Sequence, residues 1–203
     1  MNDTLTITPE QLTEIFRMFK IDMSEWGTPG RRQAGDLIPL LKSREGVLTI
    51  GATGIALKFE TARALIKNAK GEVLICGGKN LHGMDNSSLI VASLPGGKMG
   101  EDEDPLVALQ RELFEEMGLQ GEDYHVGERE KKKSLRFVRA LPGFQAQRMD
   151  YIFTVTLRPD HPYFAQASFE REEHGYVILF KWVPEVEWNE RQQKPQQQQL
   201  QRQ

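Results

Sequence analysis

The stretch from Asp104 to Gly118 constrains this chain more than any other. Asp104-Pro105 reads as an N-cap followed by a residue preset for the first helical turn, and Gly118 is placed to end the helix after Met117. At 100° per residue, Glu112, Glu115 and Glu116 fall at i, i+3 and i+4, so three carboxylates share one narrow face. Leu106, Leu109, Leu113 and Met117 form the adjacent apolar face, expected to bury against a sheet, and Ala108 completes the acidic face as a small residue. Such a face is unfavourable on its own: like charges at this spacing cost about 0.2–0.5 kcal/mol per pair. The last-turn dipole adds roughly 0.3–1 kcal/mol for each exposed anion. A divalent cation would reverse both penalties, and oxygen ligands suit Mg²⁺.

The residues before this helix suit the same chemistry. An aliphatic run, Leu89 to Leu94, predicts a strand that breaks at Pro95-Gly96-Gly97 into a loop of open backbone. Upstream, Ala62 to Ile66, the turn-forming Asn68 to Gly71 and Val73 to Cys76 predict a hairpin. Further strands are expected at Ser134 to Ala140, Tyr151 to Leu157 and Tyr176 to Val183. Strands on both sides of one central helix, without regular alternation, predict an α+β domain.

The N-terminal segment carries its own helix signal. Thr8 is placed as N-cap, Pro9 at N1 and Gln11 at N3 of a capping box, with Leu12, Ile15, Phe16 and Phe19 on one face. Between Gly27 and Gly54, recurrent Gly and Pro obscure any regular pattern, with Leu37 to Leu41 alone looking buried. The chain is thus divided into an extension over 1–57, a catalytic domain over 58–188 and a Gln-rich tail over 189–203, read as disordered.

The stretch GGKMGEDEDPLVALQRELFEEMGL resembles the Nudix box: Gly97, Glu103, Arg111, Glu112, Leu113, Glu115, Glu116, Gly118 and Leu119 fill its specified positions. The resemblance implies an α/β/α sandwich with a mixed sheet. It also implies hydrolysis of a nucleoside diphosphate linked to another moiety, by attack of metal-activated water on one phosphorus. By position in the box, Glu112, Glu115 and Glu116 are the implied metal ligands, with the Gly96 carbonyl as an additional one and Mg²⁺ or Mn²⁺ as the cation. Arg111 is expected to orient them through an ion pair, and Glu103 to steady the loop. Glu112 is the in-box candidate for general base. Glu170, Glu172 and Glu173 are distal alternatives in a run otherwise read as a charged surface turn.

The box does not choose the substrate. The positions where subfamily markers are expected hold Lys133, Ser134, Leu135, Arg136 and Phe137, which match none of the ADP-ribose, diadenosine polyphosphate or NADH patterns. A nucleotide sugar such as ADP-ribose is preferred, because the extension is similar in size to pre-core segments that some family members use to dimerise. On that analogy Leu12, Ile15, Phe16 and Phe19 are a candidate homodimer face. The alternatives are a nucleoside triphosphate pyrophosphohydrolase and a Nudix-like regulatory domain that binds a nucleotide without cleaving it.

Net charge of -3 makes nucleic acid an unlikely partner. The basic run Arg129 to Lys133, with Arg136 and Arg139, is read as a solvated loop before a phosphate site. A single cysteine, Cys76, and the lack of a signal-like start or a run of ~20 apolar residues predict a cytoplasmic protein without a membrane span. The histidines, His82, His125, His161 and His174, have no zinc-site spacing.

Overall fold

The computed structural model describes residues 7–29, 31–51, 54–81, 93–137, 141–173 and 176–190. Helix α1 (Pro9–Met18) begins as its sequence predicts. The Thr8 hydroxyl accepts from Gln11 N at 3.3 Å, and the Gln11 side chain accepts from Thr8 N at 2.9 Å. A 3₁₀ turn (Ala34–Leu37), the short helix α2 (Ile38–Lys42) and strand β1 (Val47–Gly51) follow, in the region where the sequence pattern is obscure. The long strand β2 (Gly54–Ile66) leads through a turn to β3 (Glu72–Leu81). Next come β4 (Gly96–Lys98), α3 (Pro105–Met117), β5 (Tyr124–Phe137) and β6 (Gln145–Leu157). A second 3₁₀ turn (Pro162–Ala165), β7 (Ser168–Glu173) and β8 (Tyr176–Pro184) complete the order, and residues 185–190 are helical.

Among the described residues the strands form two sheets, one of five strands in the order β1-β2-β6-β5 with β4 paired to β2, and one of three in the order β3-β8-β7. This is the predicted α+β class, but two local expectations change. The turn after β2 forms, with Asn68 Oδ1 accepting from Lys70 N and Glu72 N. Yet among the described residues the bridge between Lys67, just past β2, and Val73 is followed by strands that join different sheets, so β2 and β3 do not pair as a hairpin. Local turn chemistry closes the chain on itself, whereas strand partners are set by which faces bury. The predicted open glycine loop is also partly ordered, since Gly96–Lys98 pairs with β2. Of the strand expected at Leu89 to Leu94, the positions 89–92 lie outside the described residues. Ser93 forms a bridge with Cys76, and Leu94 is buried.

The basic run Arg129 to Lys133 is not a loop. It lies within β5, at the edge of the five-stranded sheet, with exposed side chains. Lysines on an edge strand discourage pairing with other chains, and Lys131 Nζ sits 5.0 Å from the Tyr151 ring centroid. The run from Phe169 to Glu173, expected as a turn, is strand β7, whose Phe169 pairs with Phe180 of β8. Positions 138–140, and so Arg139, lie outside the described residues, as do 191–203 of the expected tail; residues 189 and 190 belong to the helical segment.

The chain divides into two compact units: residues 1–62, 98–108 and 130–151, and residues 63–97, 109–129 and 152–203. The first has a core of Leu12, Phe16, Leu37, Ile55, Leu57 and Phe144, with Ala34, Leu141 and Ala146. Phe16 meets Trp26 and Phe144 edge-on at 5.2 and 5.0 Å, and Trp26 Nε1 donates to the Pro142 carbonyl at 2.8 Å. Leu12 and Phe16 are fully buried there, and Ile15 and Phe19 pack against the same cluster. The apolar face of α1 is therefore largely covered by the chain's own core, Leu12 and Phe16 above all. The second unit has a smaller cluster of Val73, Ile75, Leu94 and Val183. No helix among the described residues is long and apolar enough to cross a membrane.

Candidate active site

Helix α3 starts and stops where its sequence says. Asp104 Oδ1 accepts from Leu106 N at 2.8 Å and Val107 N at 3.3 Å. At the other end Leu119 N reaches back to the Leu113 carbonyl at 3.2 Å across Gly118, whose φ of 71° favours glycine. Leu109, Leu113 and Met117 are buried, as their spacing predicts, whereas Leu106 is exposed. Leu106 lies in the first turn, beside the cap.

The three glutamates are not equivalent. Glu112 and Glu116, four residues apart, are buried at 8% and 5% exposure, while Glu115 is exposed. Ala108, one turn before Glu112, is fully buried and supplies the small residue on that face. Glu116 Oε2 accepts from the backbone N of Gly96 at 2.9 Å, which ties the last turn of α3 to the start of β4. The Glu112 carboxylate lies against Gly97 so closely that a methyl group there would overlap it. The glycine pair thus has two tasks, one backbone N–H offered to Glu116 and one missing side chain that admits Glu112.

Arg111 supplies countercharge to two of the three. Its NH1 donates to Glu112 Oε1 at 2.8 Å and Glu115 Oε2 at 3.1 Å. The expected pair with Glu115 is thus present, and Glu112 shares the same guanidinium. Glu103 steadies the preceding turn by accepting from Gly100 N at 2.8 Å. In the first unit, Arg44 pairs with Glu101 and Lys98 with Glu45.

Whether these residues suit a divalent cation is decided by donor chemistry and burial. All donors are oxygens, the class that Mg²⁺ prefers. Two carboxylates held out of water on one helix face need positive charge to be tolerated. Among the described residues, however, no three His, Cys, Asp or Glu side chains are gathered to hold an ion as they stand. Glu112 and Glu115 are turned toward Arg111. The donor set fits in type and in position on the helix; closing it on a cation requires these two side chains to leave the guanidinium.

In β7, Glu170 and Glu172 alternate with Phe169 and Arg171 and are exposed, and Arg171 is the member that reaches α3, lying against Gly118. The Glu173 side chain lies outside the described residues, as do His82 and His174. His125 is exposed, and His161 Nδ1 caps the second 3₁₀ turn by accepting from Tyr163 N at 3.3 Å.

Three groups near the site have no box signal. Cys76 on β3 is buried, and burial first, then the Glu116 carboxylate, push its thiol up to about 11 against the lowering effect of Ser93 and Arg63. Arg63 NH1 donates to the Leu94 carbonyl at 2.9 Å, next to the glycine pair. Tyr163 donates its hydroxyl to the Met117 carbonyl at 2.5 Å. In the first unit, buried Asp150 accepts from Thr61 Oγ1 at 2.5 Å and from Arg148 Nε at 2.8 Å. An Arg-x-Asp spacing on a strand places both side chains on one face, the only trace of this pair in the sequence.

A carboxylate-bearing helix fixed to a glycine-rich turn within an α+β fold defines the class of protein to which the box points. The chain belongs to the Nudix family: the NUDIX domain model matches residues 58–202, and the family's α+β sandwich fits these sheets and helices. Similar solved structures include the E. coli ORF135 protein, at 22% identity over 64% of this chain and 76% of that one, TM-score 0.39. A MutT protein from Methanosarcina mazei Go1 is 22% identical over 63% and 77%, TM-score 0.37. A NUDIX hydrolase from Nitrosomonas europaea is 17% identical over 66% and 76%, TM-score 0.37. No curated protein matches the chain.

Proposed function

We propose that this chain is a divalent-metal-dependent hydrolase that cleaves the diphosphate of a nucleoside diphosphate linked to another moiety, nucleotide sugars such as ADP-ribose being one class to test. The observation that carries the reading is the burial of Glu112 and Glu116 on one face of α3 against Gly96 and Gly97. A plain surface helix has no reason to bury two carboxylates there, since each loses hydration.

Glu112, Glu115 and Glu116, with the Gly96 carbonyl, would hold Mg²⁺ or Mn²⁺. Such a cation, when bound, supplies neutralising charge to the phosphate oxygens and lowers the pKa of water. The chain's own residues then have distinct tasks. Gly96 N orients Glu116 through its Oε2. Before the cation binds, Arg111 bridges Glu112 and Glu115 and offsets their mutual repulsion, and it releases them to the ion. Glu112, pressed against Gly97 and shielded from bulk water, is the carboxylate we assign to take a proton.

The test is a panel of nucleoside diphosphate sugars, dinucleotides and nucleoside triphosphates incubated with Mg²⁺ or Mn²⁺, with products separated by chromatography. Turnover of at least one diphosphate-linked compound is expected, lowered at least ~100-fold in Glu116→Gln through lost coordination. Near-normal activity of that variant refutes the ligand assignment. No turnover of any compound favours a binding domain instead.

A further inference from the structure

The C-terminal end of α3 is held by two side chains from outside the box. Tyr163, in the 3₁₀ turn before β7, donates its hydroxyl to the carbonyl of Met117, the last helical residue. Arg171, on β7, places its guanidinium where a Gly118 side chain would otherwise sit. The two belong to one cluster, since the Arg171 charge also acts on the Tyr163 hydroxyl, whose pKa burial raises and Arg171 lowers.

This cluster is rigidly seated. The Tyr163 ring stacks on Phe169 at 4.0 Å with planes 4° apart, and Phe169 stacks on Phe180 at 4.9 Å. Trp182 Nε1 donates to the Tyr163 carbonyl at 3.1 Å. Stacked rings on paired strands fix the hydroxyl in direction as well as position.

Helix ends leave carbonyls without intrahelical partners and fray readily. Glu115 and Glu116 lie in this last turn, where the helix dipole repels anions. A hydroxyl on the Met117 carbonyl and a guanidinium beyond Gly118 oppose both tendencies. We propose that Tyr163 and Arg171 are positioning residues: they keep the last turn of α3 helical, and so hold Glu116 in place beside Glu112 for cation binding. The effect passes through the backbone of Met117 and Gly118. The inference rests on the metal-binding reading above.

The test measures Mn²⁺ affinity of the full-length protein by calorimetry, without substrate, beside thermal melting. Tyr163→Phe keeps the stacked ring and removes only the hydroxyl. It is expected to weaken Mn²⁺ binding about 10-fold, in the range typical of residues that support a metal ligand, in a protein that still melts cooperatively. Arg171→Ala is expected to weaken binding several-fold and Arg171→Lys to restore most of it, because charge at the helix end is the quantity that matters. Wild-type binding that is unchanged in folded Tyr163→Phe and Arg171→Ala overturns the positioning role and leaves the metal reading intact. Wild-type protein that binds no Mn²⁺, with Glu116→Gln indistinguishable from it, overturns both.

Discussion

Gly97 and Cys76 show how much of the site depends on single atoms. A methyl group at Gly97 would overlap the buried Glu112 carboxylate, so that side chain must shift to admit it. Gly97→Ala is expected to lower turnover by displacing Glu112, and to destabilise the fold by about 1 kcal/mol, the low end of overpacking, because only a side-chain end has to move. Denaturant unfolding beside a rate assay checks both, and a variant with unaltered rate would show that Glu112 is not confined as described. Cys76 gives a pH signature. Its thiol is raised from an ordinary 9.0 to about 11, chiefly by burial and next by the Glu116 carboxylate. The unfolded chain therefore loses this proton first. The stability tied to the protonated thiol is complete below about pH 9 and is lost as pH rises to about 11, a change of up to about 3 kcal/mol. Unfolding free energies of wild type and Cys76→Ala should converge or cross by that amount over this window, and a constant difference between them would refute it. Residue types were legible in the sequence where the box specified them. The roles of Cys76, Tyr163 and Arg171 were not, because each depends on a neighbour distant in sequence.

At the scale of elements, legibility followed how local the determining interactions are. The start of α1 and both ends of α3 were readable because caps act within about six residues: Thr8 with Gln11, Asp104 with Leu106 and Val107, Leu119 with Leu113 across Gly118. Strand β2 was half hidden because Lys58, Glu60 and Arg63 interleave with buried Leu57, Ala62 and Ala64, and β5 because an edge strand tolerates a lysine run. The cap on α3 can be weighed directly. Asp104→Ala removes the acceptor for two backbone donors, at a cost of about 1 kcal/mol. Asp104 lies two turns before Glu112, so thermal melting should show the loss while Mn²⁺ affinity stays within about twofold. A large loss of affinity would mean that fraying from the first turn reaches the carboxylates, and the C-terminal clamp would then be insufficient to hold them.

For the whole molecule, the decisive question is whether the matched region stands alone. The family match begins at residue 58, and by sequence the first 57 residues form an extension. Their hydrophobic groups are nevertheless integral to the first unit: Leu12 and Phe16 are fully buried with Leu141, Phe144 and Ala146, and Trp26 is anchored to the Pro142 carbonyl. The sequence showed that the α1 face needs a partner and could not show which, because apolar periodicity is the same for a dimer contact as for an internal one. The structure supplies the partner partly from within the matched region, in Leu141 and Phe144 just before β6 and Ala146 at its start. A chain beginning at residue 58 would therefore expose Leu141, Phe144 and Ala146 together and lose Ile55 and Leu57, an apolar surface that soluble monomers rarely leave open. Such a chain is expected to aggregate or to melt without cooperativity, and Phe16→Ala within the full chain to cost about 3–5 kcal/mol. Circular dichroism melts and sedimentation of the two proteins measure this. If the shortened chain is monomeric and melts within a few degrees of the full one, the N-terminal segment is a detachable appendage. If it fails as expected, the N-terminal residues are part of the scaffold on which β2 and β6 are built.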